Sequence, residues 1–151
     1  MKTIHPLSAG LNHTAVDLGI FDELMQYSLI HPVNKREIEG KVFLKDATDA
    51  TGTEISFNII PPRQEVPYFH VHNKNEETYI ILRGNGFYQV DEDCFPIQEG
   101  SVIRVAPAGN RGLCNTSEEP MIYIAIQSKE HSLEEHTTAD GTRLPAEPKW
   151  R

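Results

Sequence analysis

The stretch Pro67-Tyr68-Phe69-His70-Val71-His72-Asn73-Lys74-Asn75-Glu76-Glu77-Thr78-Tyr79-Ile80-Ile81-Leu82-Arg83-Gly84 decides both the fold and the site. In an extended strand, side chains alternate between faces. His70 and His72 therefore point to one side, one pleat apart, close enough to share an ion. Asn73 to Glu76 read as a turn, after which Glu77 opens the next strand and can return a carboxylate to the two imidazoles. The same alternation sends Tyr79 and Ile81, with Arg83 beyond them, to the face of Glu77. Tyr79 is then a pocket candidate and Ile81 a core residue. Two neutral imidazoles and a carboxylate suit zinc, iron, manganese or nickel. A His-x-His pair on a surface strand is also common as plain polar decoration, so its spacing alone leaves both possibilities open.

Outward from this block the texture is β. Short runs rich in Val, Ile, Phe and Tyr occupy Lys41–Leu44, Glu54–Ile60, Tyr68–His72, Thr78–Leu82, Gly86–Asp91, Ser101–Val105 and Met121–Gln127. Turn residues separate them, among them Pro61-Pro62, Gly84-Asn85-Gly86 and Ala108-Gly109-Asn110. The spacings are too short for crossover helices, so parallel βαβ topology is excluded. Many short strands joined by tight turns imply an antiparallel sandwich or barrel. The chain divides into an N-terminal arm (1–35), a barrel (36–128) and a polar C-terminal tail (129–151) that holds the only Trp, Trp150. In the arm, Leu24, Met25 and Leu29 give a weak helical face around Phe21–Ser28.

Composition narrows the partners. Twenty-two acidic against 14 basic residues leave a net charge of −8, which argues against nucleic acid and anionic membrane surfaces. Met1 to Gly19 has no apolar stretch of signal-peptide length, and the longest apolar run, Met121 to Ile126, falls far short of the roughly 20 residues of a membrane span. The expectation is a soluble, cytoplasmic protein. Cys94 and Cys114, the only two cysteines, make neither a disulfide framework nor a cysteine zinc site. Any metal chemistry runs on His and carboxylates. No phosphate loop or nucleophile elbow competes, since Gly84-Asn85-Gly86 lies between two strands as a hairpin turn.

The central block resembles the cupin family. His70, His72, Glu77 and Gly84 fall in register with that family's first motif, with four residues between His72 and Glu77 and six between Glu77 and Gly84. Gln64 stands where the motif opens with Gly. Gly100 to Asn115 has the length of the second motif, with Ala106 and Ala108 in place of its Pro and Gly, and Asn115 matching. The resemblance covers roughly residues 40–128. It implies an all-β double-stranded β-helix, a jelly-roll barrel with its site inside the mouth and with N- and C-terminal extensions. It also implies a homodimer.

One departure matters. The second motif's metal-binding His is here Arg111, and a one-residue shift of the alignment puts Gly112 there instead. A guanidinium stays protonated and has no lone pair to donate. Two unit charges 4 Å apart repel by about 4 kcal/mol at an effective dielectric of 20, and a doubly charged ion doubles that. Three readings follow. A divalent metal (Fe, Mn, Ni or Zn) binds His70, His72 and Glu77 with open positions, and Arg111 pairs with a substrate carboxylate. Alternatively the site is metal-free, Arg111 pairs with Glu77 or an anion, and a histidine with Tyr79 or Tyr88 does acid–base work. Or the pocket only binds or senses a small molecule. Strand alternation puts Arg111, Leu113 and Asn115 on one face and Cys114 on the other. Ser56, Asn58 and Gln127 are polar residues in otherwise apolar strands that can line a pocket. The expected function is thus the binding or conversion of a small, anionic, carboxylate-bearing molecule in the barrel mouth, by Arg111, Tyr79, Asn58 and Gln127 beside the metal set. Arg111 and Tyr79 are the catalytic candidates.

Overall fold

The structure, a computed structural model, describes residues 1–150. It is built almost wholly of antiparallel strands: β1 (His5–Gly10), β2 (His13–Asp17), β3 (Ser28–Ile30), β4 (Glu37–Glu39), β5 (Lys41–Phe43), β6 (Glu54–Ile60), β7 (Asn75–Arg83), β8 (Asn85–Val90), β9 (Asp93–Gln98), β10 (Val102–Val105), β11 (Arg111–Asn115) and β12 (Met121–Lys129). A five-stranded sheet in the order β10-β7-β12-β6-β5 faces a three-stranded sheet in the order β11-β8-β9. The hairpins β1-β2 and β3-β4 stand apart from both.

The two sheets close over one core, to which Ile81, Tyr88, Ile97, Ile103, Leu113 and Met121 contribute. A second core lies on the other face of the large sheet. There Leu18, Leu24 and Tyr27 from the N-terminal segment cover Val42, Ile59 and Ile122. The large sheet is therefore buried on both faces. This explains why Ile59-Ile60 and Met121-Ile122-Tyr123 are continuous apolar runs, whereas β7 alternates cleanly with Glu77, Tyr79 and Ile81 buried.

Most of the barrel strands lie where the sequence places them, and the differences have physical causes. Tyr68–His72, expected as a regular strand, is an extended segment held by local pairing: His70 and Arg111 exchange backbone hydrogen bonds, and the His72 N–H donates to Pro107 O. The turn ahead of Glu77 is shorter than expected because β7 starts at Asn75. Strand β9 went unread because Pro96 interrupts it. It lies at a sheet edge, where a missing N–H is tolerated. The helical face near residue 24 is a 3-10 helix, Phe21–Gln26, that buries Leu24 completely. The β3-β4 hairpin straddles the expected arm boundary at 35/36. From residue 131 the tail is exposed through Trp150, which is 85% accessible.

Glycine matters most at Gly86, where β8 meets β11. A Cβ there would lie 1.8 Å from the Cys114 carbonyl oxygen. Only a residue without a side chain permits that approach.

Because the N-terminal segment supplies half of the second core, Leu24→Ala is expected to destabilise the whole domain by about 2–5 kcal/mol. Urea unfolding followed by tryptophan-independent far-UV signal measures it. A loss below about 0.5 kcal/mol would mean that the segment is not part of the cooperative fold.

Candidate metal and ligand site

Glu77 lies at the centre of the site. Its carboxylate is 3% accessible, and four side chains converge on the same oxygen, Oε2. The Tyr79 hydroxyl donates to it at 2.6 Å. His72 Nε2 lies at 3.2 Å, His70 Nε2 at 3.6 Å and Arg111 Nε at 3.8 Å. The local sequence builds this convergence. Strand β7 turns Glu77 and Tyr79 inward together, the extended segment before it carries both histidines, and the backbone exchange between His70 and Arg111 locks β11 against that segment.

Burial alone raises a carboxyl's pKa, but here the contacts with His70 and Tyr79 and the charge of both imidazoles outweigh it, and the Glu77 carboxyl is held down at about 2. The Tyr79 hydroxyl is pushed far up by burial, by Tyr88 and by Glu77, so it remains a proton donor to the carboxylate. Burial pulls the His72 imidazole down, with Arg111 and His70 acting in the same direction and Glu77 opposing. A lowered imidazole is neutral at pH 7 and keeps a lone pair for a metal.

His70, His72 and Glu77 each offer a donor atom, and these atoms lie within 4.8 Å of one another. Two donors each ~2.1 Å from one ion lie about 3.0–3.4 Å apart at right or tetrahedral angles. The two imidazole–carboxylate distances sit at or just outside that span, while the full set spreads to 4.8 Å, so a small divalent ion would draw the two imidazoles closer together.

Arg111 is completely buried. Its Nη2 donates to Ala106 O at 3.0 Å and its Nη1 to His70 O at 3.4 Å, while Nε, facing Glu77, has no hydrogen-bond partner. The guanidinium is thus spent mainly on backbone carbonyls and on balancing Glu77, and little of it faces the open cavity. Cys114 lies outside the three-donor group.

The cavity itself encloses about 450 Å³. Tyr79, Tyr123, Ala125 and Leu113 form its apolar wall, with Gln127 and Glu77 among its polar lining. Asn58 lines an adjoining recess that shares Lys41, Tyr68 and Tyr123 with the first. Four of the five buried side-chain polar atoms without a partner belong to this interior: Asn58 Oδ1, His70 Nδ1, Tyr88 OH and Arg111 Nε. Such a concentration of unpaired buried polar atoms is unusual for a packed interior. Ser56, by contrast, accepts from Asn58 Nδ2 at 3.1 Å and orients it. Sequence reasoning missed two contributors. Lys41 lines both recesses, and Leu29, His31, Pro32 and Ile38 of the β3-β4 hairpin wall one side of the mouth. For Lys41 a signal was present, since strict alternation with Val42 sends it inward together with Asn58 across the pair.

The carboxylate predicts an acid-side dependence of stability in chelator-treated protein. A folded pKa near 2 against 4.5 unfolded contributes about 3 kcal/mol. That contribution is complete above pH 4.5 and is lost as pH falls toward 2. Urea titrations between pH 6 and 3 should show Glu77→Gln with a flatter decline than wild type. Parallel declines would show that Glu77 does not supply the dependence.

Comparison with known proteins agrees with this geometry. Residues 57–127 match the cupin domain family. A cupin protein from Bacteroides fragilis is 36% identical, with a TM-score of 0.67 over 76% of this chain and 99% of that one. A double-stranded β-helix protein from Klebsiella pneumoniae shares 18% identity and a TM-score of 0.54 over 76% of this chain and 91% of that one. A predicted oxalate decarboxylase from Thermotoga maritima shares 23% and 0.56 over 68% and 90%. The last two likenesses concern the fold alone. No curated protein matches the chain. Among the described residues no helix is long and apolar enough to cross a membrane. The matched barrel, the two facing sheets and the His70-His72-Glu77 cluster inside their mouth make this chain a member of the cupin family.

Proposed function

We propose that the barrel mouth is a mononuclear divalent-metal site that binds, and can turn over, a small anionic molecule. The observation that carries this reading is the convergence of His70, His72 and Glu77 donors within 4.8 Å, with the carboxylate buried and ionised. A bound divalent ion would supply Lewis acidity and open coordination positions for a chelating ligand. Iron, manganese, nickel and zinc all accept this donor set.

The chain's own residues shape the rest. Tyr79 holds Glu77 Oε2 by its hydroxyl and keeps its own proton, which makes it a positioning group for the carboxylate. Arg111 sets the charge balance: its Nε near Glu77 offsets part of the carboxylate's charge, so a metal is held less tightly here than by a site with a third imidazole. The apolar wall of Tyr123, Ala125 and Leu113 excludes water from the ligand, and Gln127 offers an amide beside Glu77.

A second reading is supported by the same residue. With Arg111 Nε at 3.8 Å, and His70, His72 and Tyr79 all on one oxygen, Glu77 is neutralised without an ion. On that reading the mouth is a metal-free binding module for a small molecule.

Elemental analysis of protein purified without a metal-affinity tag separates the two. One equivalent of metal in wild type and almost none in His70→Ala is expected. No metal in wild type after reconstitution with iron, manganese, nickel and zinc would refute the metal reading.

Arg111→His tests the charge argument. Replacing the cation by an imidazole at that position should raise divalent-metal affinity at least about tenfold, measured by competition with a chelating dye. Unchanged or weaker affinity would place residue 111 outside the coordination sphere.

A further inference from the structure

Lys41 is the charged group of the cavity that no contact accounts for. Its neighbour in sequence, Val42, is buried in the second core, so Lys41 faces the opposite side of β5, into the barrel. It lines both the metal-proximal cavity and the adjoining recess. Its ammonium lies 4.8 Å from the centre of the Phe43 ring, yet among the described residues it makes no hydrogen bond and no ion pair. The carboxylates nearest in its field are engaged elsewhere. Glu77 is held by its four partners, and Glu54 accepts the backbone N–H groups of Leu44 and Lys45. Burial lowers the Lys41 pKa, and the fields of Glu77 and Glu54 oppose that shift. Set against Glu77, Lys41 and Arg111 are two basic side chains to one carboxylate on the cavity wall.

The strand register shows how this charge is placed relative to the metal donors. Across the large sheet, Lys41, Asn58, Tyr123 and Ile81 form one row, Phe43, Ser56, Ala125 and Tyr79 the next, and Glu54, Gln127 and Glu77 the third. Same-face rows are ~6.8 Å apart along the strands. The Lys41 and Glu77 positions are therefore two rows and three strands apart along the curled sheet, yet both side chains line one cavity and the Glu77 carboxylate acts on the Lys41 ammonium. Beside it, Asn58 Oδ1 is buried without a donor. The cavity thus carries both the Glu77 donor cluster and a lysine, with Tyr79, Ala125 and Tyr123 on the wall between their strands.

We propose that Lys41 is an anion subsite that receives a carboxylate of the ligand, whose apolar body lies along Tyr79 and Tyr123. The ligand class is a small amphipathic acid. This rests on the reading of the barrel mouth as a ligand site and moves the anion-pairing role expected of Arg111 onto Lys41. Arg111 is occupied by Ala106 and His70 carbonyls, whereas Lys41 is free to pair. An unpaired ammonium in a partly dry cavity gains more from a carboxylate than from a neutral amide of the same shape.

Calorimetry on the full chain, as purified and after chelator treatment, tests this with 4-phenylbutyrate and its neutral amide as probes. Wild type should bind the acid at least about tenfold more tightly than the amide in both preparations. Lys41→Met should lose that preference, and Asn58→Asp, which sets a carboxylate opposite Lys41 on the neighbouring strand, should lose it too. Equal binding of acid and amide by wild type, no binding of the acid at millimolar concentration, or a preference that survives Lys41→Met would overturn the assignment. Cobalt titration of Lys41→Met should match wild type, and a fall there would show that Lys41 acts through the metal donors, which also overturns it. Wild type that keeps the acid preference but binds no cobalt supports the Lys41 subsite and refutes the metal reading alone.

Discussion

An ionised carboxylate inside an apolar barrel is the constraint around which this molecule is arranged. Removing a charge from water is costly unless hydrogen bonds and opposite charges replace the lost hydration. Glu77 meets that condition through one oxygen that serves Tyr79, His70, His72 and Arg111 at once. These partners come from three pieces of backbone: the strand itself, the extended segment before it that carries both histidines, and β11 across the barrel. The sheets must close in one register for the charge to be matched, so burial of the carboxylate specifies the fold as well as the site. The same concentration of polar groups limits what Arg111 can do. A residue that helps hold an anion in place, and that is tied to two carbonyls, has little left for an incoming ligand.

Much of this was legible in the residues. Alternation along β7 put Glu77, Tyr79 and Ile81 on the inner face, and they are buried there. The His-x-His spacing brought His70 and His72 to one side, although the segment is held by a single bridge rather than by a full ladder. The fold class was legible because turn residues punctuate apolar runs at short intervals. Less visible were elements whose stability comes from tertiary contact. The 3-10 helix around Leu24 and the short strands β3 and β4 have little local signal, since their apolar residues are satisfied only by the outer face of the large sheet or by the cavity. Strand β9 was hidden by a proline that only an edge position accommodates. Lys41 was less legible because a lysine in a strand usually faces water, and only its alternation with the buried Val42 turns it inward.

The two faces of the large sheet divide the work. The inner face carries the Glu77 cluster, and the outer face carries an apolar cover supplied by the N-terminal segment. Tyr27 illustrates the join, since its ring packs in the outer core, its carbonyl accepts from the Gly40 N–H, and the Gly40 carbonyl in turn accepts from Ile59 N–H on β6. Gly40 has φ of +72°, and a Cβ there would meet Ile59 at 2.7 Å. This one position, where only glycine is unstrained, turns the chain from the β3-β4 hairpin onto the sheet and sets Lys41 facing inward.

That layout separates two kinds of evolutionary freedom. The metal donors, Tyr79 and Arg111 all lie within residues 57–127, the part shared with the cupin domain family. Lys41 and the hairpin residues Leu29, His31, Pro32 and Ile38 precede it in the chain. Substitutions there alter the shape and charge presented to a ligand without touching the cage around Glu77. The wall of the mouth formed by residues 29–41 can therefore vary in shape and charge independently of the buried carboxylate and its partners.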